Sequence, residues 1–466
     1  MTEGGVEHNM EWTPSCTRRY RFKYEDESKE TSNLMNLLGY GSGLRQRRIN
    51  AYRKMDSLRN ARFTNDVTTI TAGSKAEGLT CFFESDMDTM FIIPHVVCLD
   101  VGINEETIPS HIIVFTMGTK GHNAGYCKLQ QGRLTSTYCP AISNALCIDG
   151  CGNVLLSSTQ FVDFFRHNSY PSEIQQHARA GPSLPWSFGP VAHDVVRAIR
   201  VHCPGILQNW AKRCRYWPPP DIVENVIVLG AFVNPIGFKG SEHYHVEWRI
   251  CFNTGETELV NNLNDTQIKI YVLLKMIVKD ILKPRKKVIT SYILKNIVLW
   301  LAENNPQELF HSGSIFHWLK EGLISLRTAI SRRQLPYYMI PERNLMAERD
   351  LVSGQQDELL KSLTCLIDEG PKILRRLKKI RQAIIGHKEP LLWYSKLRIE
   401  FEILYLELSI RQMQCKDENG VVNTSDIILL ILCYGMMEVL NKIIARMHSE
   451  GTYLNDKTQL IGMILG

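Results

Sequence analysis

Two carboxylates near the start of the sequence have the spacing of a metal site. Asp86 and Asp88 flank a single residue and precede the apolar run 90–93, which is typical of a β-strand. Residues i and i+2 of a strand project from the same face, so the two carboxylates can act together. Paired carboxylates suit Mg²⁺ (or Mn²⁺), and two such ions can clamp the attacking and leaving oxygens of a phosphoryl transfer.

Gly73 and Ser74 supply the complementary half of such a site. A glycine lets backbone N–H groups approach a phosphate, and a serine at a helix start adds a hydroxyl and the positive helix end. Taken singly, a Gly-Ser pair and an Asp-x-Asp pair also occur in turns with solvated side chains. In this order, with an apolar strand after the acids, they resemble the signature of nucleotidyltransferases related to polymerase beta.

That resemblance implies a third carboxylate on a neighbouring strand. Asp194 leads the β-type run 195–199 and is the candidate. It could instead cap a helix or lie on the surface at a strand start. The sequence leaves three other carboxylates open for this position, namely Asp163, Asp221 and Glu247.

Further motifs extend the resemblance along the chain. In order, they are Gly73-Ser74-Lys75-Ala76-Glu77-Gly78-Leu79, Glu84-Ser85-Asp86-Met87-Asp88, Gly125-Tyr126-Cys127, Trp217-Pro218, Glu247-Trp248-Arg249, Ser291-Tyr292 and Ile340-Pro341-Glu342-Arg343-Asn344-Leu345. Over residues 30 to 385 they resemble a male-abnormal-twenty-one (Mab) domain, whose fold is shared with cyclic GMP-AMP synthase. The family has active synthase-like receptors and developmental members without established activity, and the intact acids favour the active branch.

The resemblance assigns expected roles to the carboxylates. Asp86 and Asp88 are expected to hold both metal ions. Asp194 is expected to complete the metal site and to help deprotonate the attacking ribose hydroxyl. No cofactor other than Mg²⁺ or Mn²⁺ is implied.

The resemblance also implies a set of nucleotide-binding residues. They are Gly73, Ser74, Arg249, Lys275, Ser291 and Tyr292. Ser74 is expected to hold the triphosphate and Lys275 to neutralise charge on the phosphates, although a lysine can also be solvated. Tyr292 is expected to stack on a base and Arg249 to read a purine edge, and both could equally be core or rim residues. Cys251 stands where the synthase has a serine, so base selection there stays open.

The expected fold is a mixed α/β, two-lobed nucleotidyltransferase fold with a long N-terminal spine helix. Short β-type runs between 68 and 260 predict a lobe built on a mixed, twisted sheet. Helical periodicity from 267 onward predicts a helical lobe. The expected units are a flexible leader (1–30), the nucleotidyltransferase lobe with its spine helix (31–262), the helical lobe (263–385) and a helical extension (386–466).

Two clusters of cations are predicted to bind a polyanion. They are Arg45, Arg47, Arg48, Arg53 and Lys54 on the spine helix, and Lys283, Arg285, Lys286 and Lys287 before Ser291. Either cluster, or a third at 372–381, could be a solvated face. In the receptors that the sequence resembles, the first two regions line one groove. Duplex binding there is expected to order the loop between Gly73 and Asp86.

The vertebrate synthase has a zinc thumb, formed by one His and three Cys after the strand that corresponds to Trp248-Arg249. Residues 252–282 contain neither Cys nor His, so no structural zinc is expected. Two other groups, Cys139, Cys147 and Cys151 or His243, His245 and Cys251, lack the paired spacing of a structural zinc site. The sequence is similar to invertebrate receptors without the thumb, which makes double-stranded RNA, recognised by its A-form shape, the expected activator.

Composition bounds the class of protein. The 466 residues are 44% hydrophobic and 22% charged, which excludes a largely disordered chain. Thirteen cysteines at irregular spacings favour a reducing, cytoplasmic location over a disulfide framework. The apolar run 427–437 is shorter than the roughly 20 residues of a membrane span, so we expect a buried helix there and no membrane partner.

Together these features predict a nucleic-acid-activated enzyme that makes a cyclic dinucleotide second messenger from ATP and GTP, or from other nucleoside triphosphates. The resemblance implies a role in antiviral innate immunity, with a downstream receptor for the product. Two alternatives stay open. One is a catalytically inactive Mab-domain protein that binds nucleic acid or acts as a scaffold, and the other is an enzyme that extends RNA 3′ ends.

Overall fold

The structure is a computed structural model that describes residues 22–63, 67–135, 139–166, 174–189, 191–282, 288–349, 351–385, 388–451 and 457–465. The α-helices in these ranges are α1 (Glu25–Met35), α2 (Ser42–Asn60), α3 (Gly73–Ala76), α4 (Pro140–Ser143), α5 (Ser158–Arg166), α6 (Pro204–Ala211), α7 (Pro220–Leu229), α8 (Asn253–Asn261), α9 (Asp265–Ile277), α10 (Ser291–Asn304), α11 (Ile315–Arg332), α12 (Ser353–Glu369), α13 (Lys378–Ile385), α14 (Lys388–Gln414), α15 (Ile427–Ser449) and α16 (Lys457–Leu465). The strands are β1 (Thr68–Thr71), β2 (Met87–Asp100), β3 (Ile113–Gly118), β4 (Tyr126–Gln131), β5 (Leu146–Ile148), β6 (Val154–Leu156), β7 (Gln175–Gln176), β8 (Ser183–Phe188), β9 (Val191–His202), β10 (Ala231–Asn234) and β11 (Glu247–Cys251).

The strands pair into one mixed sheet. Its order is β1-β2-β3-β4-β11-β10-β9-β8-β7, with β6 attached to β4 and β5 to β6. Strand β2 runs parallel to both β3 and β9, whereas the other neighbours are antiparallel. Because β2 pairs with β9 as well as β3, the pairings from β2 through β3, β4, β11, β10 and β9 close a ring. The predicted mixed α/β fold is confirmed.

Strand β2 is the longest strand and organises the site. Its first half pairs with β1 and its second half with β3, while β9 lies along its other edge. The register with β9 shifts between Ile92 and Val97. Pro94 lies in this interval and has no N–H to donate to a ladder, which explains why regular pairing breaks there. The first half of β2, which carries Asp88, thus pairs with β9 in a different register from the second half.

One hydrophobic core joins the sheet to the helices that follow it. Phe115 and Trp248 from the sheet belong to the same buried cluster as Leu274 of α9 and Ile297 of α10. Helix α9 starts with a capping box, in which Asn264 and Gln267 exchange side-chain and backbone hydrogen bonds, and this arrangement fixes where the helix begins. The expected helical region after 267 is therefore packed directly on the sheet.

The N-terminal helices form a bent spine. Helix α1 begins at Glu25, so the predicted leader of 1–30 extends too far into the folded part. A π-helical turn at Asn36–Tyr40 separates α1 from α2, and Gly39 adopts a φ of 85° there. A left-handed φ favours glycine, because the Cβ of any other residue would clash with the backbone in this conformation. The chain thus changes direction at Gly39 before the long helix α2 begins.

The last three helices, α14 to α16, form a helical extension with its own small core. The extension docks on the spine, since Leu406 of α14 packs with Tyr52 and Met55 of α2. The predicted burial of the run 427–437 is wrong for most of it, because Ile427, Ile431 and Tyr434 of α15 are exposed by 73%, 63% and 73%. Only one face of α15 packs on α14.

Helix α15 is longer than its apolar core suggested. It continues to Ser449 and reaches 23 residues, with a mean hydropathy of 2.0 over its most apolar 18-residue window, of which 28% is buried. Among the described residues it is the one helix long and apolar enough to cross a membrane by length and composition. The core helix of a soluble protein passes the same test, and α15 contributes Val439, Leu440 and Ile443 to the core of the extension.

Candidate nucleotide and metal site

A cavity of about 290 Å³ lies between the sheet and helices α9 and α10. Six of the residues predicted for the site line this one cavity. They are Gly73, Ser74, Asp88, Asp194, Ser291 and Tyr292. The sequence separations are large, so it is the packing of the sheet against the helices that brings these side chains together.

Asp88 and Asp194 lie side by side across the parallel strands β2 and β9, where they are register partners. Paired residues of neighbouring strands project from the same face, so both carboxylates face the cavity. Burial, followed by the nearby charges of Asp194 and then Asp86, raises the pKa of Asp88 to about 7. A carboxyl with this pKa is held in a place where a positive charge would be favourable.

Asp86 occupies a different position from the other two aspartates. It is exposed and lies one residue before the start of β2. Among the described residues, no group of three or more His, Cys, Asp and Glu side chains is arranged to hold a metal ion. The predicted convergence of three carboxylates is therefore not found, and Asp88 with Asp194 forms the pair.

The pair still fits Mg²⁺. This ion keeps several waters and is commonly held by one or two carboxylates together with substrate phosphates, without a full cage of protein ligands. Two carboxylates on the wall of the cavity, of which Asp88 has a raised pKa, match this mode of binding. Asp88 and Asp194 are thus the residues that could hold the metal, with Asp86 at the edge of the site.

Gly73 is required where it stands. Its φ of 62° is left-handed, and a Cβ at this position would collide with the carboxylate of Asp88. The backbone at 72–73 also stays close to β2, because the N–H of Ala72 donates to the carbonyl of Asp88 at 2.9 Å. Helix α3, which begins at Gly73, has only four residues, so its end offers little dipole and the predicted phosphate contact depends on the side chain of Ser74.

Ser74 and Lys275 form one unit although 201 residues separate them. The ammonium of Lys275, on α9, donates a hydrogen bond of 2.8 Å to the hydroxyl of Ser74. Burial lowers the pKa of Lys275, because a charged form in a desolvated place is disfavoured. A hydroxyl and a poorly hydrated ammonium at one spot are suited to anionic oxygens.

A buried ion network beside the cavity was missed from the sequence. The ammonium of Lys295 lies 2.6 Å from Glu77 Oε1 and 3.4 Å from Glu256 Oε2. Burial alone would lower the pKa of Lys295, but the two carboxylates outweigh it and raise the pKa well above its ordinary value. All three residues line the cavity. Glu77 lies within the Gly-Ser motif, but its partners are distant in sequence.

Tyr292 and Arg249 lie in different places relative to the cavity. Tyr292 lines the cavity, and its hydroxyl donates to Glu256 Oε1 at 2.9 Å, which fixes the ring where a base could stack. Ser291, at the start of α10, is exposed on the same wall. Arg249 is not among the residues that line this cavity, and lies on β11 opposite Tyr126. The contact of Arg249 with a purine edge stays a prediction.

The predicted polyanion surface is smaller than expected. Arg45 and Arg48 are buried, since Arg45 donates to the carbonyl of Val260 at 2.8 Å and Arg48 forms an ion pair with Glu402. The expectation that they lie outside is wrong. On the outside of α2 the exposed cations of the cluster are Arg47, Arg53 and Lys54. The cluster of Lys283, Arg285, Lys286 and Lys287 lies outside the described residues.

The alternative carboxylates lie elsewhere. Asp163 is on α5 and Asp221 is in the first turn of α7. Glu247 accepts hydrogen bonds from the N–H of Phe238 at 2.9 Å and the hydroxyl of Ser241 at 2.8 Å. None of the three is among the residues that line the cavity.

One comparison with known proteins identifies part of the chain. Residues 259–365 match the family model described as the Mab-21 protein HhH/H2TH-like domain. The matched segment contains Tyr292 and Lys295, which line the cavity, and Lys275, which does not line it but donates to Ser74. The resemblance to the Mab family is confirmed in this segment, and the match is consistent with a Mab-21 family protein. Proteins of this family are in general nucleotidyltransferase-like. No curated protein matches the chain.

Proposed function

We propose that this chain, with its Mab-21 domain, is a metal-dependent nucleotidyltransferase that joins two nucleoside triphosphates into a cyclic dinucleotide. The observation that carries the proposal is the placement of Asp88 and Asp194 as register partners in a cavity that also contains Ser74 and Tyr292. Two carboxylates, and a nearby hydroxyl that accepts a hydrogen bond from the ammonium of Lys275, are the complementary halves of phosphoryl-transfer chemistry.

Asp88 and Asp194 are the proposed ligands of Mg²⁺ (or Mn²⁺), with Asp86 joining them when substrate is present. The bound ion would polarise the α-phosphate and favour deprotonation of the attacking hydroxyl. Burial, and then the repulsion of Asp194 and Asp86, raises the pKa of Asp88, which supports this assignment because a cation would stabilise the buried charge and relieve the repulsion.

Each displacement would exchange one bond for another. A ribose hydroxyl of one nucleotide attacks the α-phosphorus of the other, a new P–O bond forms, and the bond to the β-phosphate breaks so that pyrophosphate leaves. Asp194 accepts the hydroxyl proton. A second displacement of the same kind, after the linear dinucleotide turns over in the cavity, closes the ring.

The remaining site residues would bind and orient the substrates. The hydroxyl of Ser74 and the ammonium of Lys275, already 2.8 Å apart, would bind oxygens of the triphosphate. The ring of Tyr292 would stack on a base, and its hydrogen bond to Glu256 would keep the ring in place. ATP and GTP are the proposed substrates, with other nucleoside triphosphates as alternatives.

Double-stranded RNA is the proposed activator, and it would bind along the exposed cations of α2, namely Arg47, Arg53 and Lys54. Recognition of an A-form duplex through its phosphates needs no side chains that read bases. We further propose a cytoplasmic role in antiviral innate immunity, in which the cyclic product acts on a separate receptor. This part rests on the resemblance to the synthase-like receptors.

The test is product formation by the purified protein. Labelled ATP and GTP are incubated with Mg²⁺ or Mn²⁺ and with double-stranded RNA, double-stranded DNA or neither, and the products are separated by chromatography. The proposal expects a cyclic dinucleotide that Asp88→Asn and Asp194→Asn abolish and that Asp221→Asn, an exposed carboxylate outside the cavity, retains. Absence of any cyclic product would favour an inactive scaffold, and products that grow on RNA 3′ ends would favour a polymerising enzyme.

A further inference from the structure

We propose that the C-terminal extension, α14 to α16, is a positioning element of the site. It fixes the segment 79–86, here called the site loop, so that this loop is ordered without any nucleic acid. The effect on substrate binding rests on the proposed function, whereas the ordering of the loop does not.

The site loop connects the two halves of the candidate site. It leaves α3, which carries Ser74, and ends at Asp86 immediately before β2. Its first residue is tied back to α3, since the N–H of Leu79 donates to the carbonyl of Ser74 at 2.9 Å. The buried ammonium of Lys75 donates to the carbonyls of Cys81 and Phe82. A shift of the loop would therefore move Ser74 and Asp86 as well.

Three consecutive residues of the site loop contact the extension. The thiol of Cys81 donates to Glu402 Oε2 at 2.8 Å, and the ring of Phe82 lies 4.7 Å from that of Tyr405, centroid to centroid. The N–H of Phe83 donates to the carbonyl of Leu465 at 3.1 Å. The extension thus holds the loop through a side-chain hydrogen bond, an aromatic contact and a backbone hydrogen bond.

A buried ion pair anchors the extension to the spine. Arg48 of α2 donates to both oxygens of Glu402, at 2.6 and 2.8 Å, and each side chain is only 1% exposed. Arg48 also donates to the carbonyl of Gly78, next to the site loop, at 3.2 Å. Separating a buried pair leaves uncompensated charge and is strongly unfavourable. Arg48 therefore couples undocking of Glu402 directly to the start of the loop.

The opposite side of the site loop is held by the spine turn and α13. Glu84 accepts hydrogen bonds from the hydroxyl of Tyr40 and from the ammonium of Lys379, both at 2.7 Å. Protein groups thus hold the loop on both sides, and the part of α2 beside Glu402 is covered by α14. A duplex on the exposed cations of α2 would lie outside this covering. The extension therefore takes the loop-ordering role that the sequence predicted for the duplex.

Hydrogen exchange of the full-length chain tests this inference, using Tyr405→Ala as the main variant. Tyr405 contacts Phe82 and Phe83, and its truncation leaves no buried charge. Glu402→Gln is the second variant, and Glu400→Ala, exposed on the same helix, is the matched control. Binding of ATP with Mg²⁺ is measured on the same samples by calorimetry, without nucleic acid.

We expect protected amides in the wild-type site loop without RNA, and exchange about tenfold faster in Tyr405→Ala with α9 and α10 unchanged. The affinity for ATP with Mg²⁺ should fall roughly tenfold, since a displaced loop misplaces Ser74. Glu400→Ala should match the wild type in both measurements.

An unprotected wild-type loop that gains protection only with RNA would overturn the inference, as would unchanged loop exchange in both Tyr405→Ala and Glu402→Gln. A protected loop in a protein that binds no ATP would instead count against the proposed function alone. A variant that unfolds would accelerate exchange in α9 and α10 as well, and the other variant then decides the matter.

Discussion

Replacing Asp88 by asparagine should stabilise the metal-free protein while it removes a proposed metal ligand. Asp88 is forced close to Asp194 by the register of β2 and β9, and burial with the neighbouring charges raises its pKa to about 7. The amide of asparagine has nearly the same shape and no charge. The substitution therefore removes the repulsion without opening a cavity.

The sign and the size of the effect follow from proton binding. Folding moves the pKa of Asp88 from its ordinary 3.8 to about 7, so the folded state holds an extra proton between these values. Wild-type stability should therefore fall as the pH rises from about 4 to about 7, with the full penalty present above pH 7. At 1.36 kcal/mol per pH unit the penalty is about 4 kcal/mol, and residual solvent around Asp88 reduces the expected gain to ~2–4 kcal/mol.

The assay is the difference in thermal or urea unfolding midpoint between Asp88→Asn and wild type, from pH 4.5 to 8.5 with a chelator present. The difference should be small at pH 4.5, grow through pH 6 and level off above pH 7. Asp221→Asn, at the exposed N-terminus of α7, should instead be slightly destabilising, since it loses a favourable helix-end charge. A difference that is independent of pH, or a destabilised Asp88→Asn at pH 8, would refute the reasoning.

Gly73→Ala should destabilise the chain by ~1–3 kcal/mol, because residue 73 has a left-handed φ and the new Cβ would collide with Asp88. Gly43→Ala should instead stabilise the chain by ~0.5–1 kcal/mol, since a Cβ at this position of α2 meets nothing within 4 Å. Urea unfolding of both variants measures the two changes. Lys275→Ala should weaken binding of ATP with Mg²⁺ by roughly 10–100-fold, measured by calorimetry, without a loss of thermal stability. Arg47→Glu combined with Lys54→Glu should weaken double-stranded RNA binding and lower the slope of log affinity against log salt by about 2 or more, measured by fluorescence anisotropy at several salt concentrations.

The strand-borne part of the site could be predicted because its information is local. The spacing of Asp86 and Asp88 before an apolar run defines a strand and the face of its side chains. The position of Asp194 on a neighbouring strand came from the family resemblance, and the sequence added only that Asp194 leads an apolar run; the structure pairs it with Asp88. The exposure of Asp86 was not predictable, since the alternation of side chains along a strand does not show at which residue the strand begins.

The buried arginines of α2 were misassigned because the spacing of Leu44, Ala51, Met55 and Leu58 predicts a single narrow apolar stripe, with the arginines outside it. At about 100° per residue, Arg45 falls between Tyr52 and Ile49 around the helix. Arg48 falls next to Tyr52, on the side away from Ile49. Tyr52 and Ile49 are both buried, so the buried arc is wider than the first stripe. The wider arc can be read from the sequence and would have indicated that both arginines are buried. The sequence does not show that Glu402 is the partner of Arg48.

The docking of the extension could not be inferred from its composition. Its helices were predicted, but hydrophobic periodicity does not say which surface covers an apolar face. Glu402 and Arg398 are charged residues on a helix, and this residue type alone predicts exposure. Both are buried because they meet the carbonyls, the thiol and the guanidinium of the spine and site loop. Such pairings are specified only by the tertiary fold.

The most direct test of the central claim is the position of a divalent metal and a triphosphate in the site. A crystal of the protein with Mn²⁺ and a non-hydrolysable ATP analogue, measured for anomalous scattering, locates the metal independently of activity. We predict a manganese peak coordinated by Asp88 and Asp194, with the triphosphate oxygens on Ser74 and Lys275. A nucleotide bound elsewhere, or manganese absent from the two carboxylates while the nucleotide is in the cavity, would contradict the account.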